Sequence, residues 1–96
     1  MVLCILLAAG LPVQSEAVSR KALVIGNGAY RIDPLNNPVN DATDIAAALR
    51  SLGFEVDLAS DIATRGQFKQ KIKAFRRRLR AGDLALFYYA GHGMQL

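Results

Sequence analysis

Residues 84–93 read LALFYYAGHG. From Leu84 to Ala90 no polar or charged residue interrupts the run except the two tyrosines, and nothing alternates. A strand with one wet face alternates, whereas a strand covered on both faces reads as a continuous apolar run. Leu84–Ala90 is therefore expected to be a strand of a parallel sheet. It runs into Gly91-His92-Gly93, so the only histidine stands at its carboxyl end. Ligands of open parallel sheets bind beyond the carboxyl ends of the strands. An imidazole there suits general acid–base work, because it titrates near physiological pH. The flanking glycines leave the ring and the neighbouring N–H groups unobstructed.

Working back from this strand, KALVIGNGAY (21–30) contains a second continuous run, Ala22 to Ile25, closed by Gly26. RIDPLNNPVND (31–41), with two prolines and three asparagines, reads as a loop. Ile45, Ala48, Leu49 and Leu52 then recur at helical spacing, predicting an amphipathic helix over 41–52. Asn40 or Asp41 would cap it, Asp44 would suit its first turn, and Gly53 would end it in a left-handed conformation. FEVDLA (54–59) alternates and is expected at a sheet edge. Thr64-Arg65-Gly66-Gln67 has the form of a capping box, and Phe68, Ile72, Phe75 and Leu79 form the apolar stripe behind it. Ala81-Gly82-Asp83 is the turn into the last strand. The order is β-α-β-α-β, which means an α/β fold with right-handed crossovers. With the alternating strand at an edge, the expected spatial order is 2-1-3, further strands adding beside the third.

The N-terminus, MVLCILLAAGLPVQSEA (1–17), holds an apolar run from Val2 to Leu11, stopped by Pro12. Ser15 and Ala17 put small residues at −3 and −1 of a signal-peptidase site, although no Lys or Arg precedes the run. The run is shorter than the roughly 20 residues needed to span a bilayer. Residues 1–17 are read as an export signal, so the expected location is secreted or periplasmic, and cytoplasmic if that leader is instead a strand or helix. Residues 18–96 are then the folded part. Cys4 is the only cysteine and lies in the leader, which puts it, on this reading, far from any strand end.

Eight of the twelve basic residues fall between Arg65 and Arg80. On a helix whose dry positions are Phe68, Ile72, Phe75 and Leu79, they read as a solvated outer face, and no nucleic-acid partner is expected. Tyr88 and Tyr89 read as core strand residues rather than a stacking platform. Gly26-Asn27-Gly28 begins like a dinucleotide fingerprint, but the third glycine position is Arg31, and Pro34 and Pro38 delay the helix. A Rossmann-type nucleotide site is the weaker alternative.

Taken in order, KALVIGNGAY, NDA and YYAGHG resemble the start of a caspase-like cysteine peptidase, most of all the bacterial caspase-like and metacaspase branch. The resemblance covers the chain after the leader. It implies a caspase-like three-layer α/β/α domain with a mainly parallel sheet, of which 18–96 is the N-terminal part. It implies a thiol protease acting on protein or peptide substrates, with no cofactor or metal. His92 matches the histidine of the family's His-Cys dyad, and Gly93 the glycine whose N–H serves the oxyanion hole. Asp41, in PVNDA, matches an acidic residue of metacaspase S1 pockets, implying Arg or Lys at P1. Pro38 departs from the Cys that many metacaspases carry there. The family's cysteine follows the histidine by about 50 residues, which lies past Leu96. Without a thiolate there is no acyl-enzyme, so this chain by itself is expected to be inactive. A non-catalytic caspase-like interaction module would share all these features.

Overall fold

A computed structural model describes residues 3–10, 18–28 and 37–91. Strands β1 (Leu3–Gly10), β2 (Arg20–Gly26), β3 (Phe54–Ser60) and β4 (Leu84–Gly91) form one sheet in the order β1-β4-β2-β3. Helices α1 (Asn37–Ser51) and α2 (Arg65–Arg78) are the two crossovers. β2 pairs parallel with both β3 and β4, and β1 pairs antiparallel with β4. The three parallel strands thus stand in the expected order, with β2 central and β3 at the edge.

Because successive strand residues point to opposite faces, β2 feeds two cores. Ala22 and Val24 pack with Ala42, Ala46 and Leu49 of α1 and with Tyr88 and Ala90 of β4. Leu23 and Ile25 pack on the other face with Phe68 and Phe75 of α2 and with Tyr89. The result is a helix, sheet and helix sandwich. Phe68 lies edge-on to Phe87 and Tyr89, with ring centroids 6.2 and 6.0 Å apart, an arrangement that suits the ring quadrupoles. Both tyrosines are core residues, as expected.

Two local readings hold and two do not. Gly53 has φ +87° and closes α1, its N–H donating to Arg50 O at 3.0 Å. Thr64 caps α2, its Oγ1 accepting from Gln67 N at 3.1 Å while Gln67 Oε1 reaches back to Ala63 N at 2.9 Å. By contrast, α1 begins at Asn37, not Asp41, so Asn40 and Asp41 are helical rather than capping, and no acidic residue stands in the first turn. Pro38 caused the misreading: proline is tolerated in a first turn, where its missing N–H would have no partner.

The second difference is a fourth strand, which leaves the reading of 1–17 as an export signal untested. The apolar run read as a leader forms β1, with Cys4 opposite Ala90 and Leu7 opposite Phe87. It occupies the flank of β4 where further strands were expected. A covered strand such as β4 exposes a row of N–H and C=O groups if its edge is left open, and an uncharged extended run satisfies them. Periodicity cannot separate a short apolar leader from a strand.

At the amino-terminal edge, Lys21 Nζ meets Asp83 Oδ2 at 2.7 Å and also donates to Arg78 O at 2.7 Å. Arg80 N donates to the same carboxylate oxygen at 2.8 Å, and Arg78 pairs with Asp57 across to β3 at 2.6 Å. These contacts fasten the end of α2 and the turn before β4 to the start of β2.

Candidate active site

The parallel register levels the carboxyl ends of three strands: Gly26 lies beside Ser60 on one side and Ala90 on the other. Each helix follows a strand of this set, so α1 and α2 both begin at this edge with their positive dipole ends toward it. The edge is where an anionic intermediate would be stabilised most by the fold itself.

A polar network finishes the edge. Asn27 is 5% exposed, and its N–H donates to Ala90 O at 2.9 Å, extending the β2–β4 ladder by one residue. Its side chain grips the segment after β3 from both directions: Oδ1 accepts from Ile62 N at 2.8 Å, and Nδ2 donates to Ile62 O at 3.3 Å. Asp61 has φ +53°, a left-handed conformation that Asp tolerates better than most residues, and its Oδ1 accepts from Gly28 N at 3.0 Å. Asp61 N in turn donates to Gly26 O at 3.1 Å. Sequence reasoning missed both residues. The available signal was a side chain capable of Asx bonding directly after each of two adjacent strands. The same bonds bear on the dinucleotide reading. The Asn27 and Gly28 N–H groups donate to protein acceptors and so are not offered to a phosphate, and the helix opens well after Gly28.

Asp41 is exposed on α1, one residue before buried Ala42. Its carboxylate is close enough to Tyr88 to disfavour the phenolate. The Tyr88 hydroxyl is pushed up to about 12, first by burial, then by its hydrogen bond to Cys4 and the neighbouring Cys4 and Asp41 charges. The structure thereby brings Asp41 to the carboxyl half of β4. His92 and Gly93 directly follow Gly91 and lie outside the described residues.

Cys4 needs a correction. It is exposed, sits opposite Ala90, and accepts from the Tyr88 hydroxyl at 3.9 Å. It is therefore beside the carboxyl end of β4, not far from any strand end. The antiparallel pairing of β1 is responsible, since it brings the start of β1 to the end of β4.

Residues 19–96 match the Caspase domain family, Peptidase_C14. The human mucosa-associated lymphoid tissue lymphoma translocation protein 1 is 36% identical to the chain over 83 residues, covering 85% of this chain and 10% of that protein. No solved structure matches. The chain thus spans about a tenth of the length of this curated relative, and its matched segment begins at Ser19, after β1. With its helix, sheet and helix layers and its levelled carboxyl edge, the chain belongs to the caspase domain family.

Proposed function

We propose that the chain carries the first part of the catalytic domain of a cysteine endopeptidase that works through a His-Cys dyad. The observation that carries this reading is the family match over 19–96, within which His92 and Gly93 directly follow Gly91, the last residue of β4. In the reaction, a thiolate attacks the scissile carbonyl and a tetrahedral oxyanion forms, held by backbone donors including the Gly93 N–H. His92 protonates the leaving amine as the C–N bond breaks. Water, deprotonated by the same imidazole, then releases the acyl group and regenerates the thiolate. The thiolate comes from a cysteine beyond Leu96, and the 96-residue chain alone does not turn over.

Within the family we place the chain in the bacterial caspase-like and metacaspase branch, on PVNDA at 38–42. Asp41 is the acidic group that selects Arg or Lys at P1. Residues 1–17 direct export. If they are then removed, β1 leaves the edge of β4. N-terminal sequencing of the mature protein decides this: a start at Val18 supports export, and a retained Met1 refutes removal of the leader.

The deciding experiment uses the complete coding sequence. His92→Ala should abolish cleavage of fluorogenic peptides with Arg or Lys at P1, leaving peptide binding intact. Retained cleavage removes His92 from the mechanism. Asp41→Ala should weaken cleavage after Arg by about fivefold and leave other P1 residues little changed, the scale of losing one exposed charged partner. Binding without any cleavage by the wild type would identify a non-catalytic module.

A further inference from the structure

We propose that the outer flank of α2 is a docking surface for an acidic, extended protein segment. The helix carries seven cations and no carboxylate. At about 100° per residue, Arg65, Lys69, Lys73, Arg76 and Arg77 fall within about 120° of arc. Lys71 and Arg78 lie on the other side of the buried Phe68 and Phe75, and Arg78 is paired there with Asp57 of β3. Among the described residues no carboxylate forms an ion pair with any of the five.

Local helix physics does not account for this stripe. Arg76 and Arg77 suit the negative end of the macrodipole, but Arg65 sits at the positive end. Arg65 with Lys69, Lys69 with Lys73, and Lys73 with Arg77 are like-charge pairs at i, i+4, which weaken a helix. A partner of opposite charge turns each of these costs into an attraction. Lys73, Arg76 and Arg77 line a shallow, open depression in this surface.

The neighbouring chemistry selects a polypeptide. Both phenylalanines of α2 are buried, so no ring is offered to a nucleic-acid base. Exposed Gly66 lies within the stripe and exposed Gln70 borders it on one side, while Ile72 on the other border packs against the core beside Phe68 and Phe75 rather than standing out to enter a bilayer. Gln70 offers an amide that can bond a peptide backbone. Cations four residues apart on a helix are about 6 Å apart along its axis, close to the spacing of alternate residues in an extended chain. An acidic segment with carboxylates at every second residue matches that spacing. This surface is independent of the dyad, and its test needs no cleavage.

The test is fluorescence anisotropy of the 96-residue chain with a labelled peptide of about twelve residues alternating Glu and Gly. Two double variants remove the same charge: Lys69→Gln with Lys73→Gln in the stripe, and Arg50→Gln with Lys71→Gln outside it. The stripe variant should bind roughly five- to tenfold more weakly, the scale of two exposed ion pairs, and the control less than about twofold. Circular dichroism should show both folded, since relief of like charges favours α2. Equal losses in the two variants would reduce the effect to net charge and overturn the proposal. A DNA duplex, or vesicles containing phosphatidylglycerol, bound more tightly than the peptide would overturn it in favour of that partner.

Discussion

Replacing Asn27 by alanine tests whether the carboxyl edge is built by side-chain bonding. The substitution leaves the Asn27 N–H bond to Ala90 intact and removes two bonds to Ile62, at 2.8 and 3.3 Å. The shorter one satisfies the Ile62 N–H, and the longer one satisfies its carbonyl less well. A stranded backbone group costs about 1–3 kcal/mol when buried, but Ile62 is only half-buried and water can reach part of it. The lower end applies to both groups, giving a loss of about 2 kcal/mol. With a urea dependence of about 1–3 kcal/mol per molar, the unfolding midpoint should fall by about 1 M. Asn27→Asp separates bonding from bulk. It keeps the acceptor for Ile62 N but turns a second oxygen toward Ile62 O, near the Asp61 carboxylate, so its charged form is disfavoured on folding. Its folded pKa then lies above the unfolded value of about 3.9, the native state binds more protons between the two, and stability falls as pH rises. Asn27→Asp should come closest to wild type near pH 4 and be worst at pH 7, while the Asn27→Ala deficit stays flat. A midpoint shift below about 0.3 M for Asn27→Ala, or a flat profile for Asn27→Asp, would refute this account of the edge.

Three further outcomes follow from the packing. The Lys21 hydrogen bond, with help from Arg80 N, holds the Asp83 carboxyl below its ordinary value of 3.8. That stability is therefore present above pH 3.8 and lost as pH falls through the lower folded value, and Lys21→Met should flatten this limb in acid titration followed by circular dichroism. An unchanged acid limb would remove the pair from the acid response. Phe68→Ala should cost about 3–5 kcal/mol in chemical denaturation, since it deletes a buried ring with two edge-on partners. A loss below about 1 kcal/mol would mean that α2 is not packed on β2 and β4 in this way. Gly53→Ala should cost about 1–2 kcal/mol, because φ is +87° there, even though its Cβ would meet only the flexible Arg20 guanidinium at 3.4 Å. Thermal melting reads this as a drop of several degrees, and an unmoved melt would show that α1 ends differently.

The parts of the fold that were legible in sequence are those where a single physical cause acts locally. Continuous apolar runs gave β2 and β4, alternation gave β3 its edge position, and Thr64 with Gln67 gave the start of α2. The start of α1 was misread because proline breaks a helix interior yet suits a first turn, and only the location of the first hydrogen-bonded turn decides which case applies. β1 was missed because pairing is non-local. Leu3–Gly10 is a strand only by virtue of an open edge on β4, more than seventy residues away in sequence. The site divides in the same way. His92 was singled out by residue type and position, and Gly93 and Asp41 by the resemblance; His92 and Gly93 lie outside the described residues, and Asp41 lies within electrostatic reach of Tyr88. Asn27 and Asp61 were not legible, since their roles depend on two strand ends being level.

The division has a mechanistic consequence for the caspase-like edge. A residue such as His92 can act only if the backbone that carries it is held still, and β4 ends at Gly91, a residue type with little conformational stiffness of its own. What stiffens that end is the Asn27 N–H bond to Ala90 O on one side and the β1 pairing of Leu3 with Gly91 on the other. The first belongs to the family segment and is braced through Ile62 to β3. The second comes from outside that segment, through a strand whose described side chains, Cys4 to Leu7, are all exposed. β1 is held by an eight-residue antiparallel ladder running from Leu3 opposite Gly91 to Gly10 opposite Leu84, while on the other flank Asn27 is buried and bonded at both backbone and side chain. The end of β4 is therefore held from both flanks, by the β1 ladder and by the Asn27 N–H, and a side-chain change at Asn27 acts on it only through the brace to Ile62.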